Sequence, residues 1–173
     1  SLLSQVDAST GGKNGVNLGE VKNAIGVFNQ PEFVICDTAM FSTLPEDEYL
    51  SGLSELIKTG IIGDGSIIEL LESNYKKVMD RDQDILSELV ARAVKYKASV
   101  VSTDEKESGL RRVLNFGHTF GHAIELHQRI KHGFAVAAGM ELSLRWSREL
   151  GYIDNETYKQ IIKLLDLYKL IPD

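Results

Sequence analysis

From Pro45 nearly to the end of the chain, apolar residues recur at helical spacing, and this restricts the possible folds more than any other feature. The period predicts helices near 45–60, 65–74, 76–102, 109–128, 133–150 and 154–168. Pro45 lacks the N–H that a first helical turn leaves unpaired. Glu46, Asp47 and Glu48 suit the positive end of the helix dipole, so the first helix should begin there. Gly151 is a stop ahead of the last helix. Before Pro45 the pattern changes. STGGKNGVN (9–17) reads as loop. The apolar, β-rich run at 33–38 reads as a strand. One or two strands cannot make a stable sheet, so this lead-in is expected to be the edge of another domain.

Bulk properties exclude several functions. The chain has 173 residues, enough for one substantial domain or one domain and a fragment. Its net charge is −6 with no basic run, which disfavours nucleic-acid binding because phosphate neutralisation needs clustered Lys and Arg. A single cysteine, Cys36, permits no internal disulfide and fits a reducing compartment. No apolar run approaches the roughly 20 residues that span a bilayer. SLLSQVDASTGGK lacks the basic start and apolar centre of a signal peptide, so a cytoplasmic location is expected.

The chemistry concentrates in LNFGHTFGHAIELH (114–127), which carries three of the four histidines; His132 follows five residues later. On one continuous helix, Arg111, Asn115, His118 and His122 would point within roughly 60° of each other. A solvated polar face would look the same, but Leu114, Phe116, Phe120, Ala123 and Ile124 leave little of the helix free for water. Gly117 and Gly121 would each cost about 1 kcal/mol in a helix interior, which close approach of another backbone or a ligand would explain. HTFGH is not the zinc-protease motif, because Thr119 stands where that motif needs Glu. His-x-x-x-His can still bind a divalent metal, or divide metal binding and proton transfer between the two rings. His132, before the apolar FAVAAGM, is a further nitrogen donor, or else a cap or core residue. Glu55, among Leu53, Leu56 and Ile57, is the best carboxylate ligand, since a buried carboxylate needs a partner or a metal. An ordinary Glu55–Lys58 surface pair would show the same spacing.

DASTGGKNGVN, GLSELIKTG, DEKESGLRRVLNFGHTFGHAIE and HGFAVAAGM closely resemble, in order and spacing, the signature segments of the 3-dehydroquinate synthase family across about residues 1–145. The resemblance implies a mainly α chain: a multi-helical metal-binding domain at 45–173, with a strand-and-loop lead-in at 1–44 left from an N-terminal α/β nucleotide-binding domain. It implies a lyase of the shikimate pathway, in aromatic amino acid biosynthesis. That enzyme converts 3-deoxy-D-arabino-heptulosonate 7-phosphate to 3-dehydroquinate and phosphate, with NAD taking and returning a hydride. Glu55, His118 and His132 match the ligands of one zinc or cobalt ion. Asp7, Lys58, Lys97, Arg111, Asn115 and His122 match residues that hold substrate oxygens, carboxylate or phosphate, and Glu107 matches an acidic catalytic-site residue. Lys13 matches both substrate- and NAD-contacting positions; Lys22 and Met40, Phe41, Ser42 and Thr43 match segments that contact NAD. A homodimer is the family's habit.

Departures from the family pattern are Phe134 in place of the usual Glu, which could remove a hydrogen bond orienting a ligand; Asn14 and Val21 near the NAD-contacting loop; and a slightly short interval from His122 to His132. Three alternatives compete. A related cyclase such as 2-deoxy-scyllo-inosose synthase would share the metal ligands, an iron-type alcohol dehydrogenase would show net NADH production, and a non-enzymatic metal-stabilised helical module would unfold with a chelator.

Overall fold

Pro45 occupies the N-cap position of α1 (Glu46–Ile62), with Glu46, Asp47 and Glu48 in its first turn. The chain is described by a computed structural model over residues 1–19 and 21–171, apart from the side chains of Asn17, Val21, Lys22 and Asn23. From Tyr49 to Gly60 every residue of α1 is buried. A helix covered on all faces is the centre of its domain, and the others are laid round it. They are α2 (Ser66–Ser73), α3 (Tyr75–Met79), α4 (Gln83–Thr103), α5 (His118–Gln128), α6 (His132–Glu149) and α7 (Asn155–Leu167). Leu53, Leu56 and Ile57 of α1 share one core with Leu86 and Leu89 of α4, Val136 and Met140 of α6, and Leu164 and Leu165 of α7. The N-terminal turn at Ser4–Ala8 and the 3-10 turn at Thr38–Thr43 contribute Val6 and Phe41 to that core. No described helix is long and apolar enough to cross a membrane.

The chain is thus mainly helical, as the periodicity predicts, but four local expectations are corrected. STGGKNGVN is not wholly loop: β1 (Lys13–Leu18) pairs antiparallel with β2 (Val21–Phe28), Val16 opposite Ile25, with a bulge between Val16 and Leu18. Glycine and asparagine density masked an alternation that a hairpin tolerates. The run at 33–38 is not a strand; among the described residues no strand pairs with it, and Phe33 and Ile35 are exposed. A strand is defined by its ladder partner, which apolar composition alone does not supply. The helix expected at 76–102 is two: Asp82 caps α4, its carboxylate accepting from the Asp84 and Ile85 N–H groups, and Arg81 takes a φ of 60° between α3 and α4. The helix expected at 109–128 is also interrupted. A 3-10 turn at Leu110–Asn115 ends before Gly117, whose φ of 77° starts α5 afresh.

Gly117 is therefore a left-handed hinge, not a helix-interior residue. Gly121 is in the interior, and the close approach expected of it is present: a Cβ there would stand 2.9 Å from the Ala135 carbonyl oxygen of α6. The two glycines let α5 lie against α6 backbone to backbone. That contact brings the N-terminal ends of α5 and α6 over the middle of α1.

Candidate metal centre

His118 is the first residue of α5 and His132 the first of α6, and both face Glu55 in the buried middle of α1. Nε2 of His118 and Nε2 of His132 each lie 3.4 Å from Glu55 Oε1. The ligating atoms of all three fall within 4.8 Å of one another. Donors of a tetrahedral zinc at 2.0–2.1 Å would stand about 3.3 Å apart, so the two 3.4 Å separations already match an ion's coordination sphere.

The donors suit a cation in other ways. Both carboxylate oxygens of Glu55 are buried and lack a hydrogen bond of ordinary geometry among the described residues, although Lys58 Nζ forms a close ion pair at 2.5 Å from Oε2. A buried carboxylate left in that state is costly. The Nδ1–H of His118 can donate to the Phe116 carbonyl at 3.2 Å, and that of His132 to Glu125 Oε2 at 3.0 Å. Those tautomers leave both Nε2 lone pairs facing the carboxylate. Two lone pairs opposite an anion repel unless a proton or a metal ion stands between them. Burial alone would raise the Glu55 pKa, but Lys58, His132 and His118 outweigh it and hold the carboxyl well below the usual range. Burial pushes His118 down despite Glu55, which favours the neutral ring that binds metal. His132 is drawn up by the neighbouring carboxylates of Glu55 and Glu125 against burial; an ion would displace that proton. The donor set fits a divalent ion of the zinc or cobalt kind.

Beside the triad runs a chain of alternating charges. Lys58 Nζ lies 3.7 Å from Asp7 Oδ1, and Lys97 Nζ lies 2.8 Å from the same oxygen. Burial would lower the Lys58 pKa, yet Glu55 and Asp7 raise it overall. Lys97 ends up lowered, with burial outweighing Asp7 and Lys58 adding repulsion. The exposed His122 ring sits 5.3 Å from that of His118 and 6.0 Å from that of His132, centre to centre.

The remaining expected residues divide. Arg111 and Asn115 do not share a helical stripe with His118 and His122, because the chain turns at Gly117. Arg111 is buried, and its guanidinium donates to the carbonyls of Glu105 at 2.5 Å and Gly11 at 2.8 Å. It clamps the loop before β1 to the loop after α4. Glu107, in the left-handed region at φ 60°, accepts from Asn115 at 2.7 Å and pairs with Lys13. Burial would raise its pKa, but these partners lower it. Met40, Ser42 and Thr43 are exposed, whereas the Phe41 side chain is in the core and its carbonyl accepts from Arg81 at 2.6 Å. The Lys22 side chain lies outside the described residues.

Two residues escaped the sequence reading. Glu125 reaches His132; its spacing of seven from His118 placed it on the same face of α5, and that signal was available. Asp104 accepts from the N–H groups of Ser108, Gly109 and Arg111 and so folds the loop that carries Glu107. Those hydrogen bonds hold its pKa down to about 2. No helical period marks such a loop staple.

Comparison with known proteins agrees with the site. Residues 52–172 match the family described as 3-dehydroquinate synthase C-terminal, and residues 1–51 the family described as 3-dehydroquinate synthase N-terminal. The 3-dehydroquinate synthase of Thermoanaerobacter pseudethanolicus is 47% identical over 168 residues, covering 95% of this chain and 47% of its own. That of Paenarthrobacter aurescens is 47% identical over 172 residues, covering 96% and 47%. The chain thus spans about half the length of these curated relatives. Among solved structures, the 2-epi-5-epi-valiolone synthase of Streptomyces hygroscopicus, with NAD+ and Zn2+ bound, superposes with a TM-score of 0.91 at 27% identity, over 98% of this chain and 48% of the other. A 2-deoxy-scyllo-inosose synthase complexed with carbaglucose-6-phosphate, NAD+ and Co2+ superposes with a TM-score of 0.90 at 28% identity, over 100% of this chain and 48% of the other. By the signature segments, the metal-ligand geometry and these matches, the chain belongs to the 3-dehydroquinate synthase family.

Proposed function

We propose that this chain is the metal- and substrate-holding half of an enzyme that converts 3-deoxy-D-arabino-heptulosonate 7-phosphate to 3-dehydroquinate and phosphate. The observation that carries the reading is the Glu55 carboxylate, buried, short of hydrogen bonds and faced by two imidazole Nε2 atoms at 3.4 Å. Glu55, His118 and His132 hold one divalent ion, zinc or cobalt. When bound, such an ion lowers the pKa of an alcohol and polarises a carbonyl, and NAD accepts and returns a hydride. The chain's own residues supply position and proton handling. Lys58 and Lys97 offer charge-assisted donors to phosphate and carboxylate oxygens, and Asp7 between them keeps both ammonium groups aimed at one place. Asn115 and Glu107 form a hydrogen-bonded pair at the rim that orients a hydroxyl. Arg111 holds the loop carrying Gly11 at the site's edge. His122 moves a proton at a ring nitrogen beside the ion. Lys13, Lys22 and Met40 to Thr43 lie on the side expected to face the nucleotide, with Phe41 acting only through its backbone. The working enzyme is a homodimer in the cytoplasm of the shikimate pathway's host cell.

A related cyclase acting on a hexose phosphate is the second reading, favoured by the likeness to the inosose synthase bound to carbaglucose-6-phosphate. Steady-state assays of the full-length protein with both substrates separate the two. We expect phosphate release and 3-dehydroquinate from the seven-carbon acid alone, with activity lost on chelation and restored by zinc or cobalt. Turnover of the hexose phosphate alone would replace the first reading by the second.

A further inference from the structure

The connection between α5 and α6 is only residues 129–131 long, so the last turn of α5 faces the first residue of α6. Arg129, at a φ of 55°, ends α5, and its N–H reaches the Glu125 carbonyl at 2.9 Å. Lys131 ties this turn to the first turn of α1, with Nζ 2.7 Å from Asp47 Oδ2 and 2.5 Å from Glu48 Oε1. Held at both ends, the turn puts Glu125 Oε2 3.0 Å from His132 Nδ1, while Nε2 on the other side of the ring faces Glu55.

We propose that Glu125 is a positioning residue: it holds the Nδ1 proton of His132, leaves Nε2 as the metal-facing nitrogen, and fixes the ring's angle toward Glu55 and His118. A neutral imidazole has one N–H and one lone pair. A carboxylate on the N–H selects the tautomer and strengthens the opposite nitrogen as a donor. His118 receives the same service from a neutral carbonyl, that of Phe116. The two ligands are therefore supported unequally, His132 by a carboxylate and His118 by a backbone carbonyl. Phe134, two residues on, packs partly buried against the core and plays no part in this hydrogen bond. The competing use of Glu125 is as a ligand itself, because His122, Glu125 and His132 also bring ligating atoms within 4.8 Å of one another. An ion there would need the Nδ1 lone pair, and so the loss of the proton that the 3.0 Å contact holds.

The inference rests on the Glu55–His118–His132 reading, and the test separates the two. In the full chain, zinc affinity and stoichiometry are measured by competition with a chromophoric chelator, and cobalt is added to record its visible absorption. Wild type, Glu125→Gln, Glu125→Ala and His118→Ala are compared. We expect one ion per wild-type chain, affinity lower by about 10–100-fold in Glu125→Ala, a smaller loss in Glu125→Gln, which keeps an acceptor, and an altered cobalt spectrum in both. Should Glu125→Ala fail to fold, the near-isosteric Glu125→Gln carries the comparison. Unchanged affinity and spectrum in Glu125→Gln and Glu125→Ala, with binding lost in His118→Ala, would overturn the role of Glu125 and leave the site intact. Two ions in wild type and one in Glu125→Ala would overturn it in favour of Glu125 as a ligand. No specific binding in wild type would overturn the metal site and this inference with it.

Discussion

Leu2, Val6 and Phe41 of the lead-in join the core, but its hairpin and the run that follows treat apolar side chains in the opposite way to the buried helices. Leu53, Leu56 and Ile57 on α1 have no exposed area, while Ile25 on β2 is 64% exposed and Phe33 and Ile35 beyond it are 75% and 78% exposed. The three proposed metal ligands belong to the buried helices, where packing on all sides sets where each helix starts and how close α5 comes to α6. Lys13, Met40, Ser42 and Thr43, expected to face NAD, belong to the lead-in, on exposed segments. A metal centre needs donor atoms within a few tenths of an ångström of their places, and such precision comes from a packed interior. The difference teaches that the helical core is sufficient to bring the donor atoms of the proposed ion site together, whereas the exposed segments of the lead-in offer side chains without a surrounding wall.

That contrast can be attacked at four points. Glu55→Gln should have the largest effect. It abolishes the ion site and leaves Lys58 buried without its nearest counter-charge, which costs about 3–5 kcal/mol in buried pairs, with Asp7 at 3.7 Å keeping the loss toward the lower end. Chemical denaturation of the metal-free protein measures it; a loss below about 1 kcal/mol would mean the core does not hold the pair as tightly as its burial implies. Next is Gly133→Ala. A Cβ at this position would stand 2.0 Å from the Ser51 carbonyl oxygen, so α6 must move from α1 and the Gly133 N–H bond to Ser51 Oγ must stretch. Overpacking of this kind costs about 1–3 kcal/mol, and because His132 is adjacent, metal content should fall with melting temperature.

On the lead-in, Ile25→Thr should change stability by no more than about 0.5 kcal/mol, since an exposed side chain loses little by becoming polar; a drop comparable with that of Gly133→Ala would erase the contrast. The smallest effect is local and pH-dependent. Asp104 has its pKa depressed to about 2 from an unfolded value near 3.9. A depressed carboxyl stabilises above the unfolded value, and that contribution is lost as pH falls from about 4 through about 2. Amide exchange at Ser108 and Gly109 should therefore accelerate across that window in wild type, and should already be fast at neutral pH in Asp104→Ala.

Much of this was legible beforehand, for reasons that differ by residue. Pro45 with three following acids marked the start of α1, and Gly151 marked the stop ahead of α7. Glu55 stood out as a charge inside an apolar helix, and His118 and His132 through the density of histidine and the family resemblance. The hairpin went unseen because its alternation is diluted by Gly and Asn, and the run at 33–38 misled because apolar composition does not name a partner. The stripe drawn through Arg111, Asn115, His118 and His122 assumed an unbroken helix; one glycine at positive φ removed the assumption and sent Arg111 to two backbone carbonyls instead.

The amino-acid order alone determined the helical class, the start of α1 and the identity of the residues able to bind a cation, because these follow from periodicity, capping chemistry and side-chain type within a few residues. Tertiary packing decided the rest: that two imidazoles at separate helix starts meet one buried carboxylate, and that Glu125 stands behind one of them. Such meetings depend on how closely backbones approach across the fold, and the glycines on α5 and α6 that permit it acquire their meaning only once those helices are in contact.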